Sequence, residues 1–419
     1  MRFLTAFLCA LALAAPAAAQ TVLIRDGRVV TNTNAGTIES GDVLIVNGRI
    51  SAVGANIAAP SGVRVIEAEG RFVTPGAFAA MSEIGLSEIS GSGTVNDANI
   101  SGDLISAAAD AGRAFNPAVT AIAVTRMEGV TRAAIAPSQT ATLFGGRGAL
   151  VSMSGDADSV FRHGAFMVIE LGEIGARRTG GSRAALWPAL DAALRDAREY
   201  PARYRSGQGG AVLNEIDAAA VQPFARGQGA FLVHVENAAD IRRIIAYKRA
   251  NPGMRFIIHG GAEAWQVARE LAAADIPVIV DPLANLPDRM ERVSARLDNA
   301  ALLQAAGVKI AIAPAPGSVD AHQARLVLQL AGNAVANGLA WDAAFAAVTR
   351  GPADIFGVGD RLGRLERGYL GDVVIWDGDP LQVASAPTTV LIEGEEQPLR
   401  SRQTQLRDRY HPSRRAAAQ

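Results

Sequence analysis

The stretch "AFLVHVENAADIRRIIAYKRANPGMRFIIHGG" (230–261) contains the smallest unit from which the fold can be read. Its ends, "AFLVHVEN" (230–237) and "RFIIHGG" (255–261), are apolar runs of strand length, each carrying one histidine near its C-terminal end. Between them, "AADIRRIIAYKRA" sets apolar residues at helical spacing against a charged face. Strands that are apolar on both faces and joined by amphipathic helices belong in a parallel sheet covered by helices. Similar runs recur at Ala79–Gly85, "TRAAIAP" (131–137), "GALVSM" (148–153), "AFMVIELG" (165–172), "IPVIVDP" (276–282) and "VKIAIAP" (308–314). Eight such strands in about 280 residues predict an α/β fold of the closed (β/α)8 TIM-barrel type over residues 75–362. An open doubly wound sheet has the same periodicity, so the pattern alone leaves closure open.

Both flanks have a different character. Residues 20–74 contain "TVLIRDGRVV", "GDVLIVNGRISAVG" and "RVIEAEGRFVTPG", short Val/Ile runs punctuated by Asp26-Gly27, Asn47-Gly48 and Glu69-Gly70. These turn signals predict a small antiparallel sheet. Residues 363–400 carry "GDVVIWDGDPL" and "TTVLIEGEEQPL", of the same kind, so the two flanks are expected to form one composite β-sandwich domain beside the barrel. Residues 401–419 form a polar, basic tail, expected to be a final helix that frays.

The N-terminus reads as a leader. Arg2 precedes the apolar "FLTAFLCALALAA", and small residues follow up to Ala19, which predicts a signal peptide over residues 1–19 and a periplasmic or secreted mature chain. The one cysteine, Cys9, lies inside that leader, which removes disulfides and thiolate ligands from the mature protein. With 49% hydrophobic residues, 19% charged residues and a net charge of −1, nothing favours nucleic acid or an anionic membrane as partner. An integral membrane protein is not expected either, and a homo-oligomer is compatible with the composition.

In a barrel, reactive residues belong at the C-terminal ends of the strands. Those ends hold Met81 and Glu83, then Glu170, His234, His259 and Asp281, with Asp320 and His322 in the segment after the last strand. Met81 and Glu83 are two apart, so regular strand alternation puts them on one face. Histidines and carboxylates at such positions suit a divalent cation and an acid–base group. Each also has a structural reading: the histidines as satisfied strand groups, Glu83 as an arginine partner, Asp281 as a turn former, Asp320 as a helix cap.

The order of these segments resembles the amidohydrolase superfamily, in particular secreted relatives near imidazolonepropionases and dipeptidases. The resemblance rests on "GRFVTPG" (70–76), "FLVHVENAADI" (231–241), "GVKIAIAP" (307–314) and the long run "AGNAVANGLAWDAAFAAVTRGPADIFGVGDRLGRLERGYLGDVVIWDGDPL" (331–381). It implies a barrel with a composite β-sandwich, and hydrolysis of a C–N bond by a metal-activated water. The family's strand-one histidine pair falls on Met81 and Glu83 in "PGAFAAMSEIG". Its bridging lysine has no counterpart, since Lys248 and Lys309 both lie elsewhere, and Glu170 stands in for it. His234 and His259 are retained. The strand-eight aspartate falls on Ala315, leaving Asp320, five residues on, as the substitute base.

The resemblance therefore implies a metal site built from His234, His259, Glu83 and Glu170, with Asp320 as the catalytic residue. The cofactor is one divalent cation, zinc first, or none, and the substrate is a small-molecule amide or peptide-like compound. The alternative is a catalytically inactive relative that keeps the barrel as a binding or scaffolding surface. The leader gives the first test: N-terminal sequencing of the exported protein is expected to begin at Gln20. An uncut chain recovered with membranes contradicts that reading.

Overall fold

The computed structural model describes residues 21–88, 96–102, 104–137, 139–205 and 209–411. The expected leader and the last residues of the tail lie outside this set.

The chain opens with β1 (Val22–Val30), β2 (Thr37–Val46), β3 (Arg49–Gly54), β4 (Arg64–Glu67) and β5 (Phe72–Pro75). Asn47 and Gly48, both at positive φ, make the two-residue turn that joins β2 to β3. Asp26-Gly27 makes no turn. It forms a register shift inside β1, where the Asp42 carboxylate accepts the Asp26 N–H at 3.0 Å. A Cβ on Gly27 would meet the Val73 side chain at 2.3 Å, so only glycine fits there. The expected antiparallel sheet is in fact mixed, because β4 and β5 run parallel to β1 and share one of its edges.

The barrel follows. It comprises β6 (Ala77–Ser82), β8 (Val130–Ile135), β10 (Phe144–Ser152), β11 (Val160–Glu170), β12 (Ala230–Val235), β13 (Arg255–Gly260), β14 (Val278–Val280) and β15 (Ile310–Ile312). A small ribbon of β7 (Asn99–Ile100) and β9 (Gln139–Thr140) lies beside it in sequence. The eight strands pair in chain order. The seam between β6 and β15 is bridged by intervening backbone. Phe78 N–H donates to the Val348 carbonyl at 2.7 Å, and Ile312 N–H to that of Ala347 at 3.0 Å.

One strand departs from the expected parallel array. β10 is antiparallel to both β8 and β11, and β10–β11 is a long hairpin. The link from Met153 to Ser159 is too short for a crossover helix, which takes about a dozen residues, so the chain can only turn back.

Side chains alternate across the barrel wall. Phe166, Val168, Leu232, Ile257, Ile279 and Ala311 pack together in the interior, while Met167, Val233, Ile258, Val280 and Ile312 join the outer core beneath the helices. Helices such as Ala238–Ala250 bury Ile241, Ile244 and Ile245 against that outer face. Asn237 caps this helix by accepting from Ala239 N–H and Asp240 N–H. Among the described residues no helix is long and apolar enough to cross a membrane.

β16 (Val373–Trp376), β17 (Pro387–Ile392) and β18 (Glu395–Glu396) return to the first sheet, where β16 pairs antiparallel with β5. Both ends of the chain thus build one β-rich domain, with a core that includes Ile24, Ile45, Val73, Val373 and Leu391. The last helix among the described residues is Arg402–Tyr410, begun by a capping box at Ser401 and Thr404.

A buried ion pair ties this domain to the barrel. Arg132 on β8 donates to both oxygens of Asp372, at 2.6 and 3.0 Å, and to Glu393 at 2.8 Å. Burial opposes the guanidinium charge, but the Asp372 pair more than offsets it and holds the Arg132 pKa above its ordinary range. Removing one partner strands the other charge, so Arg132→Met is expected to lower the unfolding free energy by about 3–5 kcal/mol. Chemical denaturation of both proteins checks this; a change inside measurement error contradicts it.

Candidate functional site

The inward ladders of three neighbouring strands end in polar residues. Two positions beyond Val168, Leu232 and Ile257 come Glu170, His234 and His259. β11, β12 and β13 are parallel and in register, pairing Glu170 with His234 and His234 with His259. The three side chains therefore form one layer at the C-terminal mouth of the barrel. All are buried.

Their hydrogen bonds fix the imidazole tautomers. His234 Nδ1–H donates to Glu170 Oε1 at 2.9 Å. His259 Nε2–H donates to the Pro314 carbonyl at 2.8 Å, an oxygen that can only accept. Each ring then carries its lone pair on the other nitrogen, His234 Nε2 and His259 Nδ1. Both of these atoms are buried without a hydrogen-bond partner. The ring centroids lie 5.0 Å apart, edge to face. Burial, and then the neighbouring His234, push the His259 pKa down to about 3, so this ring stays neutral at ordinary pH.

The residues around the layer hold it in place. Glu236, just past β12, accepts from Arg292 at 2.5 Å and from Ala262 N–H at 2.9 Å. The "HGG" that ends β13 makes room for this brace, because a Cβ on Gly260 would sit 2.8 Å from Glu236 Oε1. Asp281 continues the Ile279 ladder beyond β14. It accepts from Leu283 N–H at 2.8 Å, the turn role expected of it, and from Ala315 N–H at 2.9 Å. Burial raises the Asp281 pKa above the ordinary carboxylate value, while the two N–H bonds and Arg292 oppose the rise and Asp320 adds to it. Ala315, at the resemblance-implied aspartate position, is thus in direct contact with a carboxylate from the next strand.

Glu170, His234, Asp281 and Ala315 line one cleft of about 730 Å³ at the barrel mouth. Glu83 and Asp320 are not among the residues lining it. Glu83 follows the end of β6 and donates its N–H to Ala321 O at 2.9 Å. Asp320 is held in a turn, its Oδ1 accepting from Gln323 Nε2 at 3.0 Å. A register shift between Ala79 and Ser82 sets three steps of β6 against two of β8, and Met81 packs with Ala80 in the barrel interior.

Among the described residues no group of three or more His, Cys, Asp or Glu side chains is disposed to hold a metal ion. The layer instead offers two buried imidazole lone pairs, with a carboxylate behind one of them. That is donor chemistry suited to a borderline cation such as zinc, and a carboxylate behind a ligating histidine is the usual way its lone pair is aimed. Reading the sequence for ligands and bases alone passes over Arg178, Arg289 and Arg292, which also line the cleft. The signal was positional: "ARR" (176–178) and "DRMER" (288–292) both follow C-terminal strand ends.

Comparison with known proteins agrees with the architecture. The profile of the Amidohydrolase family matches residues 331–396. The Amidohydrolase tasK of Hapsidospora irregularis is 27% identical over 408 residues, an alignment that takes in 85% of this chain and 40% of that protein. The chain thus spans about two fifths of that relative's length. Among solved structures, an amidohydrolase from Thermotoga maritima MSB8 superposes with a TM-score of 0.80 at 26% identity, over 90% of this chain and 99% of that one. Molinate hydrolase has the same fold at a TM-score of 0.56 and 18% identity, over 91% of this chain and 95% of its own. A Xaa-Pro dipeptidase with bound methionine does so at 0.54 and 14%, over 90% and 99%. The barrel, the two-ended β-rich domain and these likenesses together support an amidohydrolase superfamily member.

Proposed function

We propose that this protein hydrolyses a C–N bond in a small-molecule amide or peptide-like substrate, at the C-terminal mouth of the barrel, with one divalent cation, zinc the first candidate. The observation that carries the reading is the pair of buried, unpartnered lone pairs on His234 Nε2 and His259 Nδ1. Leaving a polar atom buried and unsatisfied costs about 1–3 kcal/mol, and a cation bonded to both nitrogens removes that cost twice. Glu170 supports the site by accepting from His234 Nδ1–H. One cation suits the residues better than two, since Met81 is packed in the barrel interior and no lysine is near β11.

A bound cation supplies hydroxide near neutral pH by lowering the pKa of its water. The chain's own residues do the remaining work. His234 and His259 are held in orientation by Glu170 and the Pro314 carbonyl. The proton acceptor we assign is Asp281, in preference to Asp320. Asp281 lines the cleft beside Ala315, each of its oxygens keeps a second lone pair, and burial moves its basicity toward neutrality. The resemblance to exported relatives and the N-terminal leader pattern favour work in the periplasm, where a mature chain cut after Ala19, and so without Cys9, is at no disadvantage.

Elemental analysis tests the proposal. Purified protein reconstituted with zinc is expected to hold about one equivalent, and His234→Ala to lose it. Asp281→Asn should retain the metal while kcat on a cleavable amide falls by about 10²–10⁴-fold. No metal in either the parent protein or His234→Ala after reconstitution removes the hydrolytic reading. It leaves the binding-protein alternative, which the replacement of the resemblance-implied strand-one histidines by Met81 and Glu83 would then favour.

A further inference from the structure

The inward ladder of β13 has a polar residue at each end. Arg255 opens the strand two positions before Ile257, on the same inward face that His259 closes. Its row is Phe166, Ala230 and Arg255, paired in register across β11, β12 and β13. The three strands that end in Glu170, His234 and His259 therefore present an arginine at the opposite, N-terminal mouth of the barrel. Phe356 packs there against Phe166, with ring centroids 5.0 Å apart, and belongs to the interior core.

Beside this row β11 is bulged. Between the pairs Gly148–Phe166 and Leu150–Arg162, two steps of β10 face four of β11. Gly164 lies within the surplus at φ 54°, and the bulge re-aims the side chains around it. A cleft of about 270 Å³ is lined by the bulge, the start of β12 and the Phe356 segment. Its polar side chains among the described residues are Arg162, His163, Gln228 and Arg255, with no carboxylate. Arg162 is anchored through one nitrogen alone: Nη1 donates to the carbonyls of Phe356 at 2.9 Å and Gly357 at 3.3 Å, which leaves Nε and Nη2. His163 Nδ1 stands 3.5 Å from Asp110, on one side of its ring. Arg255 is exposed, and among the described residues it has neither a hydrogen bond nor an ion pair.

Two guanidinium groups in one cleft without a carboxylate repel each other until an anion comes between them. Their forks match the oxygens of a phosphate or a carboxylate. A phosphoryl group carries close to two charges and three acceptor oxygens, enough for both arginines and His163, where a carboxylate brings one charge and two oxygens. The cleft is several times larger than the roughly 30 Å³ of one water. Ile257, Ile355 and Phe356 give it an apolar wall, so there is room for a substituent beside the anion. We propose that this cleft is a second binding site, for a phosphoryl group held by Arg162 and Arg255, either as free phosphate or as the head of a phosphomonoester. The site lies at the far end of the barrel from His234 and does not depend on the hydrolase reading.

Calorimetric titration of the purified full chain with inorganic phosphate, in a low-salt buffer without other multivalent anions, tests the proposal. Saturable binding at one site per chain is expected. Arg255→Gln breaks no contact within the fold, so it should weaken phosphate about tenfold at unaltered melting temperature, and Arg162→Gln should weaken it by a similar factor. Acetate is expected to bind about tenfold more weakly than phosphate to the parent protein. His234→Ala should bind phosphate as the parent does, because the two mouths are separate. Glycerol 1-phosphate distinguishes the two sources of the ligand: affinity equal to or above that of phosphate assigns the head of a phosphomonoester, lower affinity assigns the free anion, and both support the site. Absence of saturable phosphate binding, affinity unmoved by Arg255→Gln, or acetate bound as tightly as phosphate overturns the proposal. So does binding that disappears in His234→Ala, which would put the anion on the histidine layer.

Discussion

The site depends on a register. Parallel strands paired without offset put every second residue of neighbours at the same height, so Glu170, His234 and His259 have to meet once β11, β12 and β13 pair as they do. A shift of one residue in β12 would turn His234 outward into the helical layer and bring Val235 to the mouth. The apolar layers beneath, Val168, Leu232 and Ile257 among them, hold that register, because slippage would also expose them. The interior packing of the barrel and the orientation of its polar layer are therefore one constraint.

The rest of the molecule serves the same geometry. β6 and β15 are joined by the backbone of Ala347 and Val348, which keeps the interior closed at the seam. Arg132 ties the barrel to the strands that the C-terminal segment adds to the first sheet. Around the mouth, Glu236, Arg292 and the Gly260 contact fix the loop past β12 against the end of β13. At these joints, removing one partner would leave a buried charge uncompensated.

The eight strands were legible because each is apolar on both faces and the helices between them are amphipathic. Direction was not. The reversal of β10 has no hydrophobic signature, and only the short link to β11 records it. Asp26-Gly27 carries the composition of a turn yet forms a bulge, because Asp42 and Val73 decide its surroundings. His234 and His259 were legible as the last steps of interior ladders. Regular alternation does not run the whole length of β6, because a bulge between Ala79 and Ser82 interrupts it. Asp281 looked like a turn residue, and it is one; the carboxylate also lines the cleft because the turn it forms lies at the barrel mouth. The arginines escaped notice because their roles depend on where loops fold, which periodicity does not encode.

The central claim is that the unpartnered nitrogens of His234 and His259 are cation ligands. The most direct measurement is anomalous diffraction at the zinc edge from crystals of the reconstituted protein. The account predicts one peak per chain, bonded to His234 Nε2 and His259 Nδ1, with Glu170 still on His234 Nδ1. A peak elsewhere in the barrel, or ordered water alone between the two rings at full zinc concentration, would contradict it.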